Sequence, residues 1–201
     1  MSKGIIALDA DGVLLDYNLA YASAWERAFG VYPAEKDSDA FWAIDRWDVD
    51  KLEGEQLDRL RASFDENHWE SIPAMPGALT ACHDLHAAGF ELVCVTALPA
   101  HFAQARQNNL QRLGFPIEMV IATDNAHNGQ SPKADALHRL RPTAFVDDYL
   151  PYLVGVHSSI HLALIQRAPN GTPNTGEHLQ CISSSHASLL DFSQWWIREY
   201  A

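Results

Sequence analysis

Five short apolar runs alternate along this chain with stretches of helical spacing, and no other feature restricts the fold as much. Residues 4–8 (Gly-Ile-Ile-Ala-Leu), 90–95, 119–122, 143–146 and 160–165 read as buried strands. The spacing between them predicts helices over 78–88, stopped by Gly89, and over 100–113, stopped by Gly114. Ser131-Pro132 opens a third, with Ser as N-cap and Pro at the first helical position. Strands alternating with helices in this way imply an α/β fold whose parallel sheet is covered on both faces. Ligands of such sheets bind beyond the carboxyl ends of the strands, so the residues just after each strand become the candidates for chemistry.

Residues 16–75 break the alternation. They carry three helical patterns, over 17–29, 38–47 and 53–69, and no convincing strand. A small helical cap is therefore expected over 16–75, inserted into an α/β core made of residues 1–15 and 76–201. Pro73-Ala74-Met75-Pro76-Gly77 would be its return hinge, because two prolines restrict the backbone between helices. Residues 16–73 hold 14 acidic side chains against six Lys or Arg, leaving −8 of the chain's formal −12 in this one segment.

Polar residues stand where the strand-end rule directs attention. Asp9 and Asp11 follow the first strand, Thr96 the second, Asp147-Asp148 a later one, and Lys133 lies at a helix start. Taken singly, an Asp after a strand is an ordinary turn former or helix cap, and Asp148 could serve the helical turn that begins near Tyr149. Taken together, carboxylates from two strand ends, a hydroxyl and a lysine can converge on one crevice. Asp9-Ala10-Asp11-Gly12-Val13-Leu14, Val93-Cys94-Val95-Thr96, Lys133 and Val146-Asp147-Asp148 resemble, in order, the four motifs of the haloacid dehalogenase superfamily. The resemblance covers the core and implies a Rossmann-like sheet sandwiched by helices.

The chemistry of these residue types agrees with a phosphate reaction. A phosphate monoester is a dianion that repels a carboxylate nucleophile unless positive charge screens its oxygens. Mg²⁺, a hard cation that takes a few carboxylates plus substrate oxygens, meets that need, with Asp9 and Asp147 as side-chain ligands. The resemblance adds the backbone carbonyl of Asp11 as a ligand, and Asp148 either directly or through water. Asp9 would attack phosphorus to form an aspartyl phosphate, with Asp11 as general acid and then base. Family members that cleave carbon–halogen bonds lack an Asp at the Asp11 position, so Asp11 points to phosphate esters. Thr96, the backbone N–H of Ala97 and Lys133 would hold the phosphoryl oxygens, and Gly12 removes a Cβ where the chain turns behind the nucleophile.

The expected function is thus Mg²⁺-dependent hydrolysis of a small phosphate monoester, with two alternatives: a phosphomutase using the same first step, or a catalytically idle binding module. The acidic cap segment disfavours a second phosphate on the substrate. A net charge of −12 is the wrong sign for holding a nucleic-acid backbone, so no nucleic-acid partner is expected. No apolar run approaches the roughly 18 to 20 residues that cross a bilayer, and Met1-Ser2-Lys3-Gly4 leads directly into the first strand rather than into an apolar leader, so a cytoplasmic location is expected. Cys82, Cys94 and Cys181 lack metal-ligand spacing and read as reduced thiols. The ten histidines show no zinc pattern; His101, close behind Thr96, is the one placed to reach a substrate. The cap aromatics Trp25, Phe29, Phe41, Trp42, Trp47, Phe64 and Trp69 suit a mini-core first and a stacking surface second. Oligomeric state is not written in the sequence.

Overall fold

A computed structural model describes residues 2–125 and 131–201. Its strands are β1 (Ile5–Leu8), β2 (Glu91–Thr96), β3 (Met119–Ala122), β4 (Ala144–Asp147), β5 (His161–Ile165) and β6 (Ser184–His186). The helices are α1 (Tyr17–Phe29), α2 (Ala43–Arg46), α3 (Gly54–Ala62), α4 (Glu66–Glu70), α5 (Ala78–Ala87), α6 (Ala103–Leu113), α7 (Ala134–Leu140) and α8 (Leu189–Tyr200). The strands pair in parallel in the order β3-β2-β1-β4-β5-β6. Five of them lie within a residue of the apolar runs that predict them. The sixth, Ser184-Ser185-His186, is a polar strand at the sheet edge and has no apolar signature to read.

Both faces of the sheet are covered at its four inner strands, β1, β2, β4 and β5, which is why these are apolar along their length rather than at alternate positions. Ile6, Leu8, Leu92, Cys94 and Val146 pack on one side with Leu85 of α5 and Phe192 and Trp196 of α8. Ala7, Val93, Val95, Phe145 and Leu164 pack on the other with Leu137 of α7. The chain leaves β1 toward β2 and β3, then returns to the far side of β1 as β4. The strand order therefore reverses between β1 and β4, and a crevice opens at their carboxyl ends, the place where parallel sheets bind ligands.

Helices α1 to α4 all fall between β1 and α5. The outgoing and returning chains run side by side there: Asp16 N–H donates to Pro73 O at 2.8 Å and Met75 N–H to Leu14 O at 2.9 Å. The first expected helix is present end to end. The other two are interrupted. Of residues 38–47 only Ala43–Arg46 is helical, because Phe41 N–H donates to Asn170 O (2.8 Å) and Asn170 N–H to Asp39 O (3.0 Å), bonds to a distant loop that a helix would forbid. The 53–69 pattern splits at Ser63-Phe64-Asp65, where the Asp65 carboxylate accepts the His68 N–H at 2.9 Å and caps a new helix. The start of α7 also differs from expectation. Ser131 does cap the turn, its Oγ accepting the Lys133 N–H at 3.2 Å, but the helix begins only at Ala134.

Candidate active site

Parallel pairing of β1 with β4 places Leu8 beside Val146, and Asp9 N–H donates to Val146 O at 2.9 Å. The next side chains, Asp9 and Asp147, thus emerge together at the reversal point. Lys133 reaches them from the start of α7. Its Nζ donates to Asp9 Oδ1 at 2.6 Å and to Asp147 Oδ2 at 2.7 Å, and all three residues are buried. Burial opposes the lysine charge, but Asp147 and Asp9 outweigh it and hold the ammonium protonated. Burial also raises the Asp147 carboxyl, against the pull of Lys133.

Asp148 is committed elsewhere than to a helix cap. Its Oδ2 accepts from Arg167 Nε at 2.6 Å, while the N–H groups of the following turn go to Asp147 Oδ1 (from Tyr149, 2.9 Å) and Asn174 Oδ1 (from Leu150, 2.8 Å). Burial pushes the Asp148 carboxyl up to about 6 despite Arg167, with the Asp9 charge adding to the rise. Gly12 has φ +90°, and a Cβ there would run into the Asp148 carboxylate and Arg167, so close backbone approach as well as the turn demands glycine.

One carboxylate oxygen from each of Asp9, Asp147 and Asp148 lies within 4.8 Å of the others. Three carboxylates beside two cations, Lys133 and Arg167, leave one uncompensated negative charge in a buried site. That excess, with a donor set made only of hard oxygens, suits a divalent cation such as Mg²⁺.

Asp11 faces a different partner. Arg106 Nη2 donates to its two oxygens at 2.8 and 2.9 Å, and the guanidinium lies 5.3 Å from the ring centre of Trp69. Arg106 is fully buried, and its Nε and Nη1 have no partner among the described residues. Burial raises the Asp11 carboxyl and the Asp9 charge reinforces this, while Arg106 opposes it. Asp11, Thr96 and Ala97 share one cavity with Asp9 and Asp148; Lys133 and Asp147, both fully buried, do not line it and reach it only through Asp9, which Lys133 bonds.

Neither Arg106 nor Arg167 stands out in the sequence as a site residue, though each carries a signal. Arg167 follows β5 by two residues, within reach of the strand-end rule. Arg106 occupies the buried stripe of α6 with Ala105, Asn109 and Leu110, where a charge is out of place unless paired. His101 is exposed, its ring centre 4.0 Å from that of Phe102, and it is not among the residues that line the cavity.

No family model and no curated relative matches the sequence. Comparison of the fold does find similar structures. The L-2-haloacid dehalogenase of Xanthobacter autotrophicus, solved with chloropropionic acid covalently bound, superposes with a TM-score of 0.62 at 15% identity over 100% of both chains. A hydrolase of the haloacid dehalogenase family from Deinococcus radiodurans R1, with bound phosphate and sodium, gives 0.61 at 14% identity, covering 94% of this chain and 92% of its own. A Thermotoga maritima protein designated a beta-phosphoglucomutase gives 0.59 at 17% over 100% of both. A structural likeness at identities this low establishes the fold alone.

Proposed function

On a chain with the fold of the haloacid dehalogenase superfamily, we propose a Mg²⁺-dependent phosphatase that hydrolyses a small phosphate monoester through an aspartyl phosphate on Asp9. The observation that carries this reading is the Asp9–Lys133–Asp147 arrangement: Asp9 Oδ1 is pinned by the ammonium at 2.6 Å, and Asp9 also lines the cavity. A pinned carboxylate has a fixed attack direction and little orientational entropy left to lose. Asp9, Asp147 and Asp148 would hold the metal ion, which when bound supplies charge against the phosphoryl oxygens.

The remaining roles belong to protein groups. Thr96, with the Ala97 N–H beside it, would donate to phosphoryl oxygens, and Lys133 keeps a permanent positive charge beneath them. Asp11, whose carboxyl burial raises, is suited to carry a proton to the leaving oxygen and to take one from the hydrolytic water. Arg106 opposes that protonation and orients the group, so the acid must exchange its pairing with Arg106 for a hydrogen bond to substrate during the cycle.

Dehalogenases share the fold, and a haloacid dehalogenase is the second reading. The presence of Asp11 favours phosphate esters, because an alkyl oxygen needs a proton to leave and a halide does not. The phosphomutase reading would need a cation for a second phosphate. The one cation on the cavity wall among the described residues is Arg167, already engaged by Asp148.

Hydrolysis of 4-nitrophenyl phosphate with Mg²⁺ is the test. Turnover should fall about 10³-fold or more in Asp9→Asn and vanish with EDTA. Release of chloride from 2-chloropropionate without any phosphatase activity would replace this reading with the dehalogenase one.

A further inference from the structure

Above Asp9 lies a cavity of about 470 Å³ whose wall carries six aromatic side chains: Tyr17, Phe41, Trp42 and Trp69 come from the segment between β1 and α5, and Tyr149 and Tyr152 from the loop after β4. The rings fall into two groups. Trp42 stands edge-on to Phe41 (4.9 Å, 80°) and to Tyr149 (5.9 Å, 72°), while Tyr17 and Trp69 are near-parallel (6.2 Å, 20°). Their positions are set without a ligand. Phe41 is fixed through its backbone by Asn170 (2.8 Å) and under the Arg167 guanidinium, 4.5 Å from the ring centre. Trp42 nevertheless leaves 43% of its surface exposed, apolar area that a flat ligand would cover.

Charge narrows the ligand further. Arg167, the cation on the wall, is paired with Asp148, and the neighbouring Lys133 and Arg106 are paired with Asp9, Asp147 and Asp11. A second anionic group on the substrate would find no uncommitted cation on the described wall. Among the described residues of the wall, one buried polar atom is uncommitted. Asn18 lines the cavity and is 4% exposed, and its Nδ2 has no hydrogen-bond partner among the described residues. A buried donor without an acceptor is costly, so a ligand acceptor placed there would be rewarded beyond its size.

We propose that the group esterified to the phosphate is a planar, uncharged ring system bearing a carbonyl or ring-nitrogen acceptor, stacked among these aromatic side chains and bound by the Asn18 amide. For the phosphate end this rests on the phosphatase reading; for the ring end it does not.

Three probes separate the two ends: 4-acetylphenyl phosphate, 4-ethylphenyl phosphate, which has a similar shape without the acceptor, and glycerol 3-phosphate. Dissociation constants are measured on Asp9→Asn by tryptophan fluorescence, so that leaving-group reactivity plays no part. The acetyl compound should bind about tenfold more tightly than the ethyl compound, and both aryl phosphates more tightly than glycerol 3-phosphate. Adding Asn18→Leu should erase the acetyl preference and leave the ethyl compound unchanged. Adding Trp42→Ala, at a partly exposed position, should weaken both aryl phosphates but not glycerol 3-phosphate, with a far-UV spectrum like that of the unaltered protein showing that the variant is folded. Equal binding of aryl and glycerol phosphates, or an acetyl preference that survives Asn18→Leu, would overturn the proposal. Aryl preference in binding with no hydrolysis by the unaltered protein would instead remove the phosphatase reading alone, and hydrolysis without aryl preference the ring-binding one alone.

Discussion

Replacing Lys133 with methionine would leave the Asp9 and Asp147 carboxylates facing one another in a buried site without the ammonium that now bonds to both. Breaking a buried pair by removing one partner typically costs about 3–5 kcal/mol. Lys133→Met should show a loss of that order in urea denaturation without metal, and saturating Mg²⁺ should restore part of it by taking over the neutralising role. No dependence of the loss on Mg²⁺ would mean that the carboxylates do not share an ion. At Asp11 the expected effect depends on the substrate. Asp11→Asn should slow hydrolysis of an alkyl phosphate by about 10²–10⁴-fold, and that of 4-nitrophenyl phosphate much less, because nitrophenolate leaves without a proton; comparing kcat on the two substrates checks the acid role. Asp9, Thr96 and Asp147 could be located from the sequence because the end of a parallel strand fixes where the next side chain emerges. Arg106 could not, since it lies inside a helix and its partner Asp11 is 95 residues away in the chain.

The helical segment between β1 and α5 shows where local patterns lose to long-range bonds. The stretch 38–47 has helical spacing, yet its first half is drawn to the loop around Asn170, a partner that no window of sequence contains. The break at 63–65 was closer to legible, since Asp65 is a standard N-cap residue. Its consequence is the burial of His68 in α4, 1% exposed and edge-on to Tyr17 and Trp69. Arg27 Nη2 donates to His68 Nδ1 at 3.0 Å, which places the proton of the neutral ring on Nε2. Burial, then the charges of Arg27 and Arg106, push this histidine down to about 4, with Asp65 pulling weakly the other way. An unfolded histidine titrates near 6.5, so as pH falls the unfolded chain takes up the proton first. The stabilising effect of the neutral ring is complete above about pH 6.5 and is lost as pH falls toward 4. Between pH 7 and pH 5 this amounts to about 2 kcal/mol. Measured by urea denaturation, the change in stability between the two pH values should be smaller in His68→Gln than in the unaltered protein by about this amount; an unchanged pH dependence in the variant would contradict the assignment.

Over the whole molecule, the segment carrying α1 to α4 is fastened to the sheet domain at two places besides its paired connections. Asn109 of α6 donates to Glu70 O and Ile72 O (2.7 and 3.1 Å), and the Asp39–Phe41 loop pairs with Asn170. We propose on this basis that 16–75 acts as a cap seated over the site, with 1–15 and 76–201 as the core. The parallel sheet and its reversal point were legible because a fully covered sheet writes apolar runs into the sequence; the seating of the cap was not, because it depends on backbone bonds between distant loops. Among the described residues no helix is long and apolar enough to cross a membrane. The account as a whole depends on Asp9 being the group that takes the phosphoryl unit beside a shared ion. A crystal structure grown with Mg²⁺ and beryllofluoride, a mimic of an acyl phosphate, addresses this directly. The expected result is beryllofluoride on Asp9, with Mg²⁺ bound by Asp9 and Asp147. Beryllofluoride absent from Asp9 in crystals whose Mg²⁺ lies away from both carboxylates would contradict it.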